Sequence, residues 1–272
     1  PGLARLAYSG PGLQSDNIGD ELDARGLSGS QVLPSIKKFY DLSGGVGGPI
    51  KQNRLWFFGS ARKSVTQQYA AGIYWNKHTQ PASLLYEPDL SRPAHSNDFY
   101  RDYSLRLTLQ ATEKHKLVVG GSFQANCNCV YALFRPQGGS LVTPEAATEH
   151  AYEPAFNVTG TWTYPATNRL LLMVAAGANH ITQTNRRGAG VDENSIQITE
   201  QSLDLKYGAA YGPTAGGSSY SSLPRRQYHQ QFSVTYVTGS HSIKTGLNIR
   251  QVRTGNNDKY GADLFMANRA IL

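Results

Sequence analysis

The clearest pattern along the chain is a strict alternation of apolar and polar residues. Successive side chains of a β-strand point to opposite faces, so a period of two predicts strands with one apolar face. The stretch from Tyr103 to Ala111 is the best example, and similar alternation recurs in residues 156–164, 232–236 and 243–250. The pattern and its spacing predict eight strands, at 36–47, 54–66, 99–112, 117–124, 155–164, 169–184, 228–238 and 242–253.

The connectors between these strands alternate in length. Short turns are predicted at 48–53, 113–116, 165–168 and 239–241, whereas the connectors at 67–98, 125–154 and 185–227 are long. Most connections in compact domains span about four to six residues, so three long ones are unusual. Strict alternation places every long connector at the same end of an antiparallel meander, which is the asymmetry of outer-membrane β-barrels.

Strand length fits the same interpretation. About ten residues, rising about 3.3 Å each and tilted near 45°, cross about 23 Å, close to the apolar band of an outer-membrane barrel. A water-soluble β-sandwich also alternates apolar and polar residues, so the decision between the two depends on the connector asymmetry. The fold class predicted is all-β, an antiparallel up-and-down meander forming part of a transmembrane β-barrel.

Composition excludes several other classes. Charged residues make up only 17% and hydrophobic residues 39%, while the chain contains 28 glycines and 16 tyrosines. These values disfavour a helical bundle and a disordered chain, and the longest apolar run, Leu170–Ala178, is too short for a membrane-spanning helix. The net charge is +7, but lysines and arginines are spread singly, so no nucleic-acid partner is predicted.

One family resemblance covers nearly the whole chain. Residues 36–64, which read IKKFYDLSGGVGGPIKQNRLWFFGSARKS, resemble the early barrel hairpin of TonB-dependent outer-membrane receptors. The resemblance is strongest to the Oar-like group, whose precursors carry a carboxypeptidase-regulatory-like domain. It continues through residues 69–77, 86–92, 104–117, 126–129 and 236–250.

The resemblance implies a larger protein than this chain. Receptors of this type have a 22-stranded barrel plugged by an N-terminal domain. We therefore expect residues 1–35 to be a long extracellular loop or lead-in, and residues 36–272 to be about eight strands of the barrel. The plug domain and the TonB-contacting segment are not recognised here, so the sequence is interpreted as a fragment.

The implied function is energy-coupled uptake of a scarce solute across the outer membrane of a Gram-negative bacterium, with a siderophore, an oligosaccharide or a peptide as the solute class. Expected partners are outer-membrane lipid and lipopolysaccharide, the protein's own plug, inner-membrane TonB and an unknown small solute. Two alternatives stay open: an adhesive or structural barrel without transport, and a soluble secreted β-sandwich that binds carbohydrate through Tyr74 and Trp75.

The alternation assigns individual side chains to two environments. The residues expected to face lipid are Leu105, Leu107, Leu109, Phe232, Val234, Leu247 and Ile249. Those expected to face the lumen or plug are Arg106, Thr108, Gln110, Lys244, Asn248 and Arg250.

Few residues suggest chemistry. Cys127 and Cys129 can form a small ring, bind a soft metal or stay as thiols, and Glu149 and His150 are weak additional metal ligands beside Glu145 and Glu153. A solvated polar loop explains the same residues, so no metal site is predicted. The glycines at 44–48 lack the spacing of a phosphate-binding loop. No nucleophile, base and acid assemble from the spacing, and neither an enzyme nor a cofactor is predicted.

Overall fold

The computed structural model describes residues 2–15, 19–25, 35–78, 80, 82–131, 133, 141–192, 194–210, 220–255 and 257–259. Within them the chain is all-β, and its main sheet is an antiparallel meander in which successive long strands pair. Two short strands add to the main sheet, and three others form a separate small sheet. The up-and-down meander predicted from the sequence is confirmed.

Nine long strands form the main sheet, and each pairs with the next long strand along the chain. They are β1 (Gly2–Ser9), β2 (Ser35–Lys51), β3 (Leu55–Asn76), β5 (Asp98–Gln110), β6 (Lys116–Tyr131), β8 (Thr148–Thr167), β9 (Leu170–Arg186), β12 (Tyr220–Thr238) and β13 (His241–Thr254). The short strands are β4 (Pro88–His95), β7 (Leu141–Val142), β10 (Ile198–Glu200), β11 (Leu205–Tyr207) and β14 (Asn257–Lys259). One α-helix, α1 (Asp20–Ala24), and 3-10 turns at Pro11–Leu13 and Pro144–Ala146 complete the described elements. No described helix has the length and apolar character that a membrane-spanning helix needs.

Tight turns close one end of the sheet, called here the turn end. Between β2 and β3, Asn53 adopts φ 59° and Arg54 N donates to Lys51 O at 3.1 Å. Gly239 adopts φ 56° between β12 and β13, a conformation that glycine accepts without steric cost. Between β8 and β9 the Thr167 hydroxyl accepts hydrogen bonds from two backbone amides. These local features account for three of the four connectors that are only two to five residues long.

The opposite end, called the loop end, carries connectors 10–34, 77–97, 132–147 and 187–219. The first of these follows β1, a strand that the sequence pattern does not predict. Residues 1–35 were expected to form a loop or lead-in, but Gly2–Ser9 pairs antiparallel with β2, from Gly2 opposite Val46 to Ser9 opposite Phe39. Leu3 and Leu6 lie on opposite faces of β1, so the period of two is broken there.

Pairing places the predicted side chains on two faces. Residues directly opposite each other in neighbouring strands share a face. Leu109 is level with Leu117, Trp162, Val174, Phe232 and Leu247. Arg106 is level with Gly120, Thr159, Gly177, His229 and Arg250 on the other side. The same registers place all seven expected lipid-facing residues on one face, the apolar face, and all six expected lumen-facing residues on the other, the polar face.

Little of the main sheet is buried. Fully buried side chains are few, and the two largest are Thr143 and Cys127, both near the loop end. The two described hydrophobic clusters, one around Ile73 and Leu133 and one around Val142 and Ala147, also lie at the loop end. Large apolar side chains of the apolar face are instead exposed, including Leu105 (54%), Val158 (49%) and Leu247 (60%).

Candidate ligand-binding site in the loop cap

The described parts of three long connectors pack together at the loop end. We call the described residues within 77–87, 141–147 and 187–210 the cap. Its small sheet joins two connectors, because β10 pairs antiparallel with β11 and β11 pairs parallel with β7. Leu141 N donates to Asp204 O at 2.8 Å and Thr143 N to Lys206 O at 3.0 Å, which fixes residues 141–143 against β11.

The third connector, 77–87, is held against the 187–210 connector by side-chain contacts. The Gln80 amide makes two hydrogen bonds with the Ile196 backbone, donating to the carbonyl at 2.9 Å and accepting from the N–H at 2.6 Å. Tyr207 donates to Leu84 O at 3.0 Å, and its ring lies 5.4 Å from that of Tyr86. Gly208 makes this approach possible, because a Cβ there would lie 2.3 Å from Gln80 Nε2 and 2.6 Å from Ile196 O.

A cavity of about 190 Å³ lies where the three connectors meet. It is lined by Trp75 and Asn76 at the end of β3, Arg92 of β4 and Glu145 of the 3-10 turn. His78, Gln80 and residues of the 187–210 connector complete the wall. The Arg92 guanidinium lies 4.7 Å from the centre of the Trp75 ring, an arrangement of a cation over an aromatic face.

Glu145 is the most unusual polar group of the cavity. Its Oε1 accepts a hydrogen bond from Asn76 N at 3.3 Å. Its Oε2 is shielded from solvent, and the Thr143 side chain lies close enough to stabilise the charged carboxyl. Burial raises the pKa of the Glu145 carboxyl, and Thr143, backbone hydrogen bonds and the charge of Arg92 oppose this only in part. Burying a carboxylate is energetically costly even when it is partly paired.

Several other polar groups of the cap are paired. Lys77 and His78 both pair with Glu87, and Lys77 is the largest cause that lowers the pKa of the Glu87 carboxyl. Burial raises the pKa of Tyr86 to about 12, with the Glu145 charge adding to the effect, so this phenol stays neutral. Ser195 donates to Asp192 at 2.8 Å. Among the described cap residues, Glu145 Oε2, Thr143 Oγ1 and Arg187 Nε are shielded from solvent without a hydrogen bond of normal geometry.

The raised pKa of Glu145 predicts that the cap loosens as pH rises. Between the ordinary value of 4.5 and the raised value, the folded cap binds more protons than the open one. The contribution of Glu145 to cap stability is therefore greatest below pH 4.5 and falls as pH increases through the raised pKa, whereas Glu87, Asp192 and Glu200, whose pKa values are lowered, contribute with the opposite sign; the difference between the unmodified protein and Glu145→Gln isolates the Glu145 contribution. Hydrogen exchange of residues 141–147, corrected for intrinsic rates, should show protection decreasing with pH. Glu145→Gln should flatten this dependence, and protection that increases with pH would contradict the assignment.

The structure brings together three of the four residues that the sequence offers only as weak metal-ligand candidates, where no metal site is predicted. Cys127 and Cys129 form a disulfide, and Cys127 Sγ lies 3.7 Å from Glu149 Oε1. These three residues place their ligand atoms within 4.8 Å of one another, and His150 is not among them. His150 instead hydrogen-bonds the Tyr152 hydroxyl at 3.2 Å. Because thiolates are the metal-binding form of cysteine, the disulfide state offers mainly one carboxylate.

Three arginines near the loop end contact different groups. Arg186 lies 3.8 Å from Glu149, and the Arg187 guanidinium lies 4.7 Å from the centre of the Tyr220 ring. The Arg226 guanidinium donates to His180 Nδ1 at 3.3 Å. Only Glu145 of the acidic group singled out from the sequence lines the cavity. Trp75 was weighed as a carbohydrate-binding aromatic, whereas no sequence signal indicated Arg92 or Gln80.

Comparison with protein-family models, curated proteins and solved structures finds no match for this chain. Its function must therefore be argued from the two faces of the sheet, the cap and the sequence resemblance.

Proposed function

We propose that the chain is a segment of a transmembrane β-barrel in the outer membrane of a Gram-negative bacterium, and that the barrel belongs to a TonB-dependent receptor. The single observation that carries the proposal is the continuous apolar face from β1 to β13. Its large side chains are exposed, and neither the small sheet nor any other described element packs over it. Exposed apolar patches of this extent mark a surface that meets lipid or another apolar partner.

The apolar residues do not follow the hydrogen-bonded rows of the sheet. Leu6 and Leu42 are level with Lys63 and Arg101, and Tyr103 and Phe156 are level with Arg226. Apolar and charged residues thus occupy the same row on different strands. An apolar band that runs obliquely across the strands explains why each of these rows contains both kinds of residue.

The polar face suits a wet interior. Arg62 makes a bidentate ion pair with Asp41, at 2.7 and 3.1 Å, and the Ser60 and Ser104 hydroxyls lie 2.7 Å apart. A hollow of about 910 Å³ beside the glycine-rich part of β2 includes Phe58 and Asp102 in its wall. In a complete receptor the plug would occupy this side. A β-sandwich would instead require a second sheet over one face.

Transport is the second part of the proposal and depends on the resemblance. A receptor of this class would bind its solute at the loop end and release it inward when TonB rearranges the plug. An adhesive barrel without transport would contain the same sheet. Sequencing the full reading frame separates the two, because a plug and a TonB-contacting segment are expected only for the transporter.

Adjacent residues of β8 test the membrane assignment. Val158 lies on the apolar face and Thr159 on the polar face, and both are in the middle of the sheet. In the full-length protein in lipid vesicles, Thr159→Cys should react with a charged, water-soluble maleimide, whereas Val158→Cys should be protected until denaturation. Equal reaction of the two variants in vesicles would contradict the proposal, as would a monodisperse monomer purified without detergent.

A further inference from the structure

We propose that two cross-strand pairs of basic residues on the apolar face, Lys63 with Arg101 and Arg226 with Arg253, each bind a phosphate group of lipopolysaccharide, the lipid of the outer leaflet. We call these four residues the basic pairs. Their assignment rests on the proposed function, since it takes the apolar face to lie against lipid. It goes further by naming the lipid group that is bound and the side chains that bind it.

Strand pairing places like charges directly opposite each other at two positions. Lys63 of β3 is opposite Arg101 of β5, and Arg226 of β12 is opposite Arg253 of β13. Directly opposite residues have Cβ atoms about 4.5–5.5 Å apart, and like charges at this separation destabilise a sheet. An anion held between the two side chains of a pair replaces this repulsion with charge-assisted contacts to both.

The basic pairs lie on the apolar face, at its border with the loop end. Arg101 is eight residues from Leu109 on β5, and Arg253 is ten residues from Ile243 on β13. Even spacings along a strand keep side chains on one face. Eight to ten residues, rising about 3.3 Å each and tilted about 35–45°, span about 19–27 Å. The apolar band of an outer-membrane barrel is about 25 Å tall, so the pairs lie where the lipid headgroups begin.

No carboxylate neutralises the basic pairs among the described residues. Three of the four side chains are exposed and that of Arg101 is partly buried, and none of them takes part in an ion pair. The Arg101 guanidinium lies 4.9 Å from the centre of the Phe99 ring, and Arg226 Nε donates to His180 Nδ1 at 3.3 Å. Both contacts are with uncharged groups, because the accepting nitrogen of His180 carries no proton. The positive charges of the pairs are therefore uncompensated.

The other charges of this face do not supply the missing anion. Among the described residues, the registers between long strands assign to it Lys38, Lys51 and the Glu149–Arg186 pair, whose atoms lie 3.8 Å apart and whose charges cancel. The net charge of the face is therefore positive, and all of it except Lys51 lies toward the loop end. Basic side chains at a lipid surface are attracted by anionic headgroups, and arginine binds phosphate with particular strength. A phosphate-bearing leaflet at the loop end is the complementary surface.

The two pairs are far enough apart to bind separately. β5 and β12 are four strand steps apart in the main sheet, which corresponds to about 19 Å. Each pair therefore meets its own phosphate group. A variant of one pair leaves the other in place, so the lipid held by each pair can be counted.

Native mass spectrometry of the full-length protein in an uncharged detergent tests the assignment. The probes are lipid A, which is the phosphate-bearing part of lipopolysaccharide, lipid A from which the phosphates have been removed, and inorganic phosphate. The protein should retain at least two lipid A molecules. Dephosphorylated lipid A should bind about thirtyfold more weakly, because each basic residue near an anionic lipid surface contributes about fivefold in affinity. Inorganic phosphate at the same concentration should not displace lipid A.

Strands β12 and β13 supply the matched variants. Arg226→Gln combined with Arg253→Gln removes one basic pair and should reduce the number of retained lipid A molecules by one. Arg225→Gln combined with Arg250→Gln removes the same charge from the polar face of the same two strands and should leave retention unchanged. Circular dichroism of both double variants verifies folding, and the two forms of lipid A test the same point on the unmodified protein.

Equal retention of the two forms of lipid A, displacement of lipid A by inorganic phosphate, or the same retention in the two folded double variants would each overturn the inference. These outcomes are separate from the fate of the barrel proposal. A protein whose Val158→Cys is protected in vesicles but which binds both forms of lipid A equally keeps its membrane assignment and loses only the phosphate sites. A protein that is soluble without detergent and binds lipid A through Arg226 and Arg253 keeps a phosphate site and loses the membrane assignment.

Discussion

Leu107→Arg should sharply reduce the amount of protein assembled in the outer membrane. Leu107 lies near the middle of the apolar face, opposite Phe57 and Val119 on the neighbouring strands. An arginine at mid-membrane on the lipid side costs about 2–4 kcal/mol, a large share of the stability of most domains. Quantifying heat-modifiable protein in isolated outer membranes measures this loss.

Thr108→Arg is the matched control. Thr108 is the next residue on β5 but lies on the polar face, level with Val118 and Thr161. An arginine there would extend into the wet interior beside Trp56 and Val118, without entering lipid, so assembly should stay close to that of the unmodified protein. Equal membrane yields for the two variants would show that the two faces are not in different environments.

Gly208→Ala should open the cap while leaving the sheet intact. Gly208 adopts φ 88°, and an added Cβ would lie 2.6 Å from the backbone oxygen of Ile196, which cannot move as a flexible side chain can. The left-handed conformation costs about 1 kcal/mol for alanine, and the overlap should raise the total to about 2–4 kcal/mol of local stability. Hydrogen exchange of residues 194–207 and limited proteolysis of the cap report the opening.

Gly190→Ala separates the cost of the left-handed backbone conformation from the cost of the steric overlap. Gly190 lies in the same connector with φ 82°, but an added Cβ would have no atom within 4 Å. This variant should lose only the conformational contribution of about 1 kcal/mol. If both variants exchange at the same rate, the close approach of Gly208 to Ile196 does not hold the cap together.

The sequence predicts the middle of each long strand well and the loop-end parts poorly. For β5, the predicted range 99–112 and the observed Asp98–Gln110 nearly coincide, whereas β12 begins at Tyr220 rather than 228. Residues 225–227 are polar on both faces, so no alternation marks them, although the hydrogen-bonded ladder continues through them. Hydrophobic periodicity reports where one face is apolar. It cannot report where a strand extends beyond that region.

The sequence does not predict the cap site, for a different reason. Glu145 stood out as a loop acid, but its significance comes from Asn76, 69 residues away, and from Arg92 on another strand. Gln80 and Ile196 are separated by 116 residues. Contacts at such distances depend on how the connectors pack, and neither spacing nor local propensity encodes that packing. The pairing of Cys127 with Cys129, in contrast, was among the outcomes that the sequence left open.

The order of the main sheet also bears on how such a protein can change over time. Each long strand hydrogen-bonds to the long strands before and after it in the chain, with β4 and β14 adding short pairings to β3 and β12, and each of the four tight turns joins a separate pair of long strands. A hairpin can therefore be duplicated or deleted without rewiring any other pairing. The hairpin is then the natural evolutionary module of this architecture, and sheets with different numbers of strands can arise by whole-hairpin steps while the cap connectors diverge separately.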